Sequence, residues 1–255
     1  MKTGITLSRT RTASCVMMEA APQLSLVDDF RSAKDPESAT AAFVNITADL
    51  KHTATYREEE ALKAALHTIE RYSLHLDVQD KGCVFLQELV FFNNSAQFAI
   101  GKHGGIDAIL TAMKKHLKGA AVQEQACGVL WTMSANSDDI KVEIAAKGGV
   151  LAVLTAMKEH PKVATVQQQA CRTLWSISKH NHNNKVETAT DGGIIAILTA
   201  MKEHTKVAAV KEQACAVLRS LSASNADNGN EIAAKGGIVA ILAAMMEHSE
   251  VAGVQ

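Results

Sequence analysis

The sequence predicts an all-α fold, a right-handed α–α superhelix with three helices in each 44-residue unit. The repeat is the first observation behind it. Gly-Gly falls at 104–105, 148–149, 192–193 and 236–237, and Ala-Met at 112–113, 156–157, 200–201 and 244–245. Gln-Ala-Cys keeps the same step at 125–127, 169–171 and 213–215. Composition is the second. Of 255 residues 41 are Ala and only 3 are Pro, which favours helix because Ala loses no side-chain entropy there. The third is the placing of the aromatics. Every Phe and Tyr lies at or before Phe98, and only Trp131 and Trp175 follow. Beyond that point the core is made of small aliphatic side chains, which suits close helix–helix contact.

Taken in order, residues 1–34 show no periodicity and read as a disordered tail. Lys2, Arg9 and Arg11, with no acid before Glu19, make its start faintly like an organelle transit peptide. Asp35-Pro36 is an N-cap followed by Pro at the first helical position, and Ala39, Phe43, Ile46 and Leu50 then form one apolar face. Residues 35–59 are thus a helical cap, its layer filled by the N-terminal aromatics. A helix from Arg57 to Leu76, with Leu62, Leu66 and Ile69 on one side, opens a degenerate unit at 60–104. There Val78-Gln79, Cys83 and Leu86 stand 44 residues before Val122-Gln123, Cys127 and Leu130. Full units follow at 105–148, 149–192 and 193–236, and 237–255 is an incomplete one. Val254-Gln255 stands where a further third helix would open, so the expectation is a fragment of a longer array. Ile238, Ile241, Leu242 and Met245 would then lack a partner.

Within a unit the first helix is short, as at Ile140–Lys147, and stops at Gly148-Gly149, where a positive φ is easily adopted. The second, VLAVLTAMKEH, sets Leu151, Leu154 and Met157 on one face. The third, VQEQACGVLWTMSAN, spaces Val122, Ala126, Leu130 and Met133 at helical intervals. No triplet can bury these faces alone, so stacking is obligatory.

The pattern GGI-x-A-I-L-x-A-M-K-x-H, then V-Q-x-Q-A-C-x-x-L, then a short helix returning to Gly-Gly, resembles armadillo repeats over residues 60–255. A period of 44 lies within that family's range of about 40–47 residues. The resemblance implies a generally non-catalytic solenoid. Its third helices would line a concave groove that takes an extended peptide or partner protein.

Charge and motifs narrow the classes further. A formal net charge of −1 argues against nucleic acid, which calls for a basic stripe. The sequence contains no uncharged apolar run long enough for a membrane span. Five cysteines are an odd number, unlike a secreted disulfide framework. The expected location is the cytoplasm, with the nucleus and, less favoured, organelle import as alternatives. Cys83, Cys127, Cys171 and Cys215 read as small buried hydrophobes. His116, His160, His204 and His248 each end a second helix, where an imidazole meets terminal carbonyls. His180-Asn181-His182 reads as a polar turn. With no phosphate loop, HExxH or GxSxG, no catalytic residue, cofactor or metal site is assigned.

In the importin-α branch of the resembled family, a Trp and an Asn four residues later hold a peptide. Aligned on Ala-Cys, the Trp position is Gly128, Arg172 and Ala216, and the Asn position is Thr132, Ser176 and Ser220. Neither member of the pair is present, so importin-like cargo carriage is not expected. Gln125, Gln169 and Gln213 stand three residues earlier on the same face. Glutamine amides and hydroxyls, one set per unit, suit either an extended peptide backbone or plain solvation. Trp131, Trp175 and Arg219 share the next position as anchors or as packing residues. The favoured reading is a protein-interaction scaffold. A regulatory arm of a larger protein and self-assembly through the C-terminal unit are the alternatives.

Overall fold

A computed structural model of the chain describes residues 23–50, 59–92 and 96–254, in which every regular element is a helix. Two pairs come first: α1 (Gln23–Ser32) with α2 (Pro36–Leu50), and α3 (Glu59–Arg71) with α4 (Leu76–Phe92). Two triplets follow, α5 (Ala96–Lys102), α6 (Gly105–Lys115) and α7 (Ala120–Ser134), then α8 (Asp138–Ala146), α9 (Gly149–Glu159) and α10 (Ala164–Ser178). The last are α11 (His182–Thr190), α12 (Gly193–Glu203) and α13 (Ala208–Ser222), then α14 (Ala226–Ala234) and α15 (Gly237–Glu247). Among the described residues no single helix is long and apolar enough to cross a membrane.

Local chemistry sets the boundaries. Asp35 Oδ1 accepts the Ser38 N–H at 2.8 Å and starts α2, and these hydrogen bonds hold the carboxyl below its ordinary range. Ser137, Asn181 and Asn225 cap α8, α11 and α14 by accepting the N–H of Ile140, Asn184 and Asn228 at 3.3, 3.0 and 3.0 Å. Each glycine pair then turns the chain into a second helix, and its two members answer different demands. Gly192 sits at φ 89°, which costs an L side chain strain. At Gly193 a Cβ would lie 2.4 Å from the Thr188 carbonyl oxygen, so the constraint there is space.

The third helices α4, α7, α10 and α13 pack in a continuous row, joined by α2 at the start. Ala126, Cys127, Leu130 and Met133 are buried along it, as are Ala170, Cys171, Leu174 and Ile177. The second helices α6, α9, α12 and α15 touch one another less, leaving open clefts of ≈ 470 Å³ between α9 and α12 and ≈ 640 Å³ between α12 and α15. Unequal spacing on the two sides curves the stack and puts the third helices on the inside.

Two polar ladders fasten it. Gln123 Nε2 donates to the Met113 and His116 carbonyls at 2.8 and 2.9 Å, binding the end of α6 to α7. Gln79 and Gln167 make the same pair of bonds in their units. The histidine ladder joins neighbouring units instead. Nε2 of His116, His160, His204 and His248 lies 2.8–2.9 Å from the carbonyls of Ser73, Leu117, Pro161 and Thr205. Since a carbonyl only accepts, each Nε2 carries the proton. The phased histidines therefore reach the turn of the preceding unit.

Several expectations change. Residues 1–34 read as a disordered tail, yet α1 occupies Gln23–Ser32 and buries Phe30; residues 1–22 lie outside the described residues. With α2, it extends the same stacking by one more layer: α1 packs on α3 and α2 on α4. That layer escapes a search at a fixed period because α2 starts 40 residues before α4, and because Phe30, Phe43 and Phe85 replace the aliphatic core. The helix expected to run to Leu76 ends at Arg71; a turn at 72–74 intervenes and Leu76 opens α4. Leu151 is 59% exposed, the buried face of α9 being Val150, Val153, Leu154 and Met157. Cys83, Cys127 and Cys171 are buried free thiols and Cys215 is half-buried.

At the fourth rung of the glutamine ladder stands Lys211, 4% exposed and without a hydrogen bond or ion pair among the described residues. Burial lowers its pKa, with Cys215 and Glu247 opposing. The unfolded chain therefore binds a proton that the folded chain resists. Stability from this group rises with pH from the folded pKa up to the unfolded value of about 10.4. Lys211→Gln should add about 1–2 kcal/mol near neutrality, and the gain should shrink as pH approaches about 10. Urea midpoints of both chains across that range check it, measured in a Cys215→Ala background because Lys211 and Cys215 shift one another. Burial also pushes the Cys83 and Cys171 thiols up to about 12, and Cys127 upward as well. At about pH 8 these three should react with an aromatic disulfide on the order of a thousandfold more slowly than a free thiol. Peptide mapping after timed labelling checks this, with full reaction expected in denaturant.

Candidate functional site

The inner face is built from the exposed sides of α4, α7, α10 and α13. Asp80, Glu124, Gln168 and Glu212 stand in register at the fifth residue of these helices, and Arg172, Lys179 and Arg219 lie toward their other ends. The groove is thus polar and mixed in sign, acidic along one edge and cationic along the other. Glu124 Oε2 accepts the Thr165 hydroxyl at 2.6 Å, tying α7 to the start of α10.

Gln125, Gln169 and Gln213 are half-buried, one on each of α7, α10 and α13, and none of their side chains is hydrogen-bonded among the described residues. The Gln169 Oε1 atom is shielded from solvent without a partner. An unpaired buried acceptor costs about 1–3 kcal/mol.

The other expected positions diverge. Gly128 is buried, and a Cβ there would lie 2.7 Å from Gln87 Oε1. Gly128 therefore lets the Gln87 amide of α4 approach the α7 backbone, an interaction that no repeat spacing signals. Thr132 is buried and donates to the Val129 carbonyl at 2.9 Å. Ser176 is 2% exposed, its Oγ 2.8 Å from Ser134 Oγ. The Ser176 hydroxyl joins α10 to α7, and the Thr132 hydroxyl is spent within α7. Ala216 and Ser220 are half-buried on α13.

Trp131 and Arg172 come together. The Arg172 guanidinium lies over the Trp131 ring, its Cζ 3.3 Å from the centroid, so α10 caps the aromatic that α7 presents. Burial draws the guanidinium pKa down, and Glu212 opposes the shift. Trp131 Nε1 is buried with no acceptor among the described residues. Lys179 Nζ stands 5.0 Å from the Trp175 centroid, and Arg219 is exposed. His180, at φ 61°, closes the end of α10 next to the cap Asn181, as a turn residue does. Among the described residues no group of three His, Cys, Asp or Glu is arranged to hold a metal ion.

No curated protein matches the sequence. Two engineered proteins with crystal structures from the Northeast Structural Genomics Consortium share the fold. One superposes with a TM-score of 0.76 at 17% identity, covering 92% of this chain and 95% of its own. The other gives 0.72 at 20%, covering 91% of each. A family model described as LRRK2 ARM repeat matches residues 101–255, more than half of the sequence. The matched segment holds the glycine pairs, the third helices from α7 onward and the groove they line. The chain belongs to the LRRK2 ARM repeat family of armadillo-type α-solenoids.

Proposed function

We propose that the chain is a non-catalytic protein-interaction scaffold that holds an extended segment of a partner protein along its inner face. One observation carries this: Gln125, Gln169 and Gln213 recur at equal spacing on adjacent packed helices, with amide groups not spent on the fold. An amide offers both a donor and an acceptor, which is what an extended backbone requires. Binding would centre on α7, α10 and α13. The hydroxyls of Thr132 and Ser176 take no part, being committed within the fold. Replacing all three glutamines with Ala should weaken a partner isolated on the wild-type chain by about a hundredfold, at about 1 kcal/mol for each lost hydrogen bond. Calorimetric titration measures it, and circular dichroism should be unchanged. Equal affinity in the triple variant overturns the groove assignment.

Self-association is the second reading, favoured by α15, where Ile238, Val239, Leu242 and Met246 are 54–81% exposed. Val239→Glu with Met246→Glu should then lower the weight-average mass in sedimentation at high protein concentration. A mass that stays monomeric at every concentration overturns this reading.

A further inference from the structure

The groove reading leaves open what kind of segment binds, and the cluster around Trp131 bears on it. In the last two turns of α7, α10 and α13, residues 128–134, 172–178 and 216–222 contain Arg172 and Arg219 and no carboxylate. Lys179 follows directly after α10. None of these three cations is ion-paired among the described residues. The acids of these three helices, Glu124 and Glu212, stand toward their opposite ends, and Glu88 of the adjacent α4 has an interaction of its own. Asp138 holds Lys141 at 2.7 Å and has His180 beside it; Glu124 holds Thr165; Glu212 stands a turn before Ala216, within electrostatic reach of Arg172.

Arg172 also fills the place on the Trp131 face where a partner's cationic side chain would stack. A lysine or arginine arriving there meets a like charge on an aromatic already covered. A carboxylate meets a guanidinium over the indole whose N–H groups can donate to both of its oxygens. Trp131 Nε1, a donor, and Gln169 Oε1, an acceptor, are buried without a hydrogen-bond partner among the described residues. A peptide backbone offers the complement of each, a C=O and an N–H.

We infer that Trp131, Gln169 and Arg172 form a subsite for an acidic residue of an extended partner segment. Arg172 takes the carboxylate through its N–H groups while it caps the indole, and the backbone beside that residue pairs with Gln169 and the Trp131 N–H. This rests on the groove reading and gives the groove a charge preference.

The chain has two tryptophans, so a ¹⁵N-labelled sample gives two indole N–H resonances, and Trp131→Phe assigns them. The probes are short synthetic peptides of Gly, Ala and Ser with a central run of Glu, and the same peptides with Lys or Gln in its place. The Glu peptide should move the Trp131 indole resonance saturably, the Lys peptide should leave it in place, and added salt should weaken the response. Arg172→Gln should reduce the affinity at least tenfold while circular dichroism shows the helical fold retained. A Lys peptide that moves the resonance as strongly overturns the inference, as does an undiminished response in Arg172→Gln. A Trp131 resonance that stays in place with the Glu peptide also overturns it. If in that case the Gln125 and Gln213 side-chain amides still shift, the groove reading stands without this subsite; if they also stay in place, both fall.

Discussion

Everything in this molecule depends on how closely its third helices approach one another. Ala126-Cys127, Ala170-Cys171 and Ala214-Cys215 put small side chains where neighbouring third helices meet, and the row packs along its whole length. Close contact on that side and wider spacing on the other is a geometric statement of curvature. It creates an inner face and decides which side chains line it. It also buries the thiols, which are then packing atoms of low reactivity. Larger residues at these positions would spread the row, flatten the stack and remove the groove along with the core.

Hydrogen bonding then stiffens a form that apolar packing has already selected. The buried glutamines act inside a unit, closing the second helix onto the third, while the histidines act between units. The glutamines satisfy carbonyls at the ends of second helices, and the histidines reach carbonyls in the turns that follow those helices. On the outer surface the clefts between α9, α12 and α15 remain open. The solenoid is therefore fastened along its turns and loosely packed on its back.

Much of the fold was legible because one period carries several independent landmarks. Gly-Gly and Ala-Cys each have a local physical reason, a left-handed turn and a close approach, and both reasons act at every repeat. Legibility failed where the period drifted or the chemistry changed. The α1–α2 layer uses Phe30 and Phe43 and a 40-residue offset, so pattern matching sees no repeat although the packing is the same. Leu151 was misplaced because a run of consecutive aliphatics, VLAVL, fits more than one helical face. In the groove, the glutamine positions were readable from spacing. The burial of Thr132 and Ser176 was not, since it depends on how tightly α10 sits on α7. The contact between Arg172 and Trp131 joins two helices 41 residues apart in sequence, and no local pattern encodes it. The V-Q pair was visible as an alignment mark, but its role as a clamp needed the carbonyls it reaches.

The glutamine ladder and its interruption at Lys211 have one more consequence. In a linear array each unit is held by its own interior and by its two neighbours, so a weakened rung divides the chain into cooperative blocks. Upstream of α12 the amide clamp is intact at Gln79, Gln123 and Gln167. At α12–α13 the ends of the two helices are joined by packing without it. An opening that reaches α15 can thus pass through α13 before it meets a fully clamped unit. Amide hydrogens of α12 to α15 would exchange as one block, ahead of those in α6 to α10. A single lysine gives an otherwise uniform array a direction in which it opens.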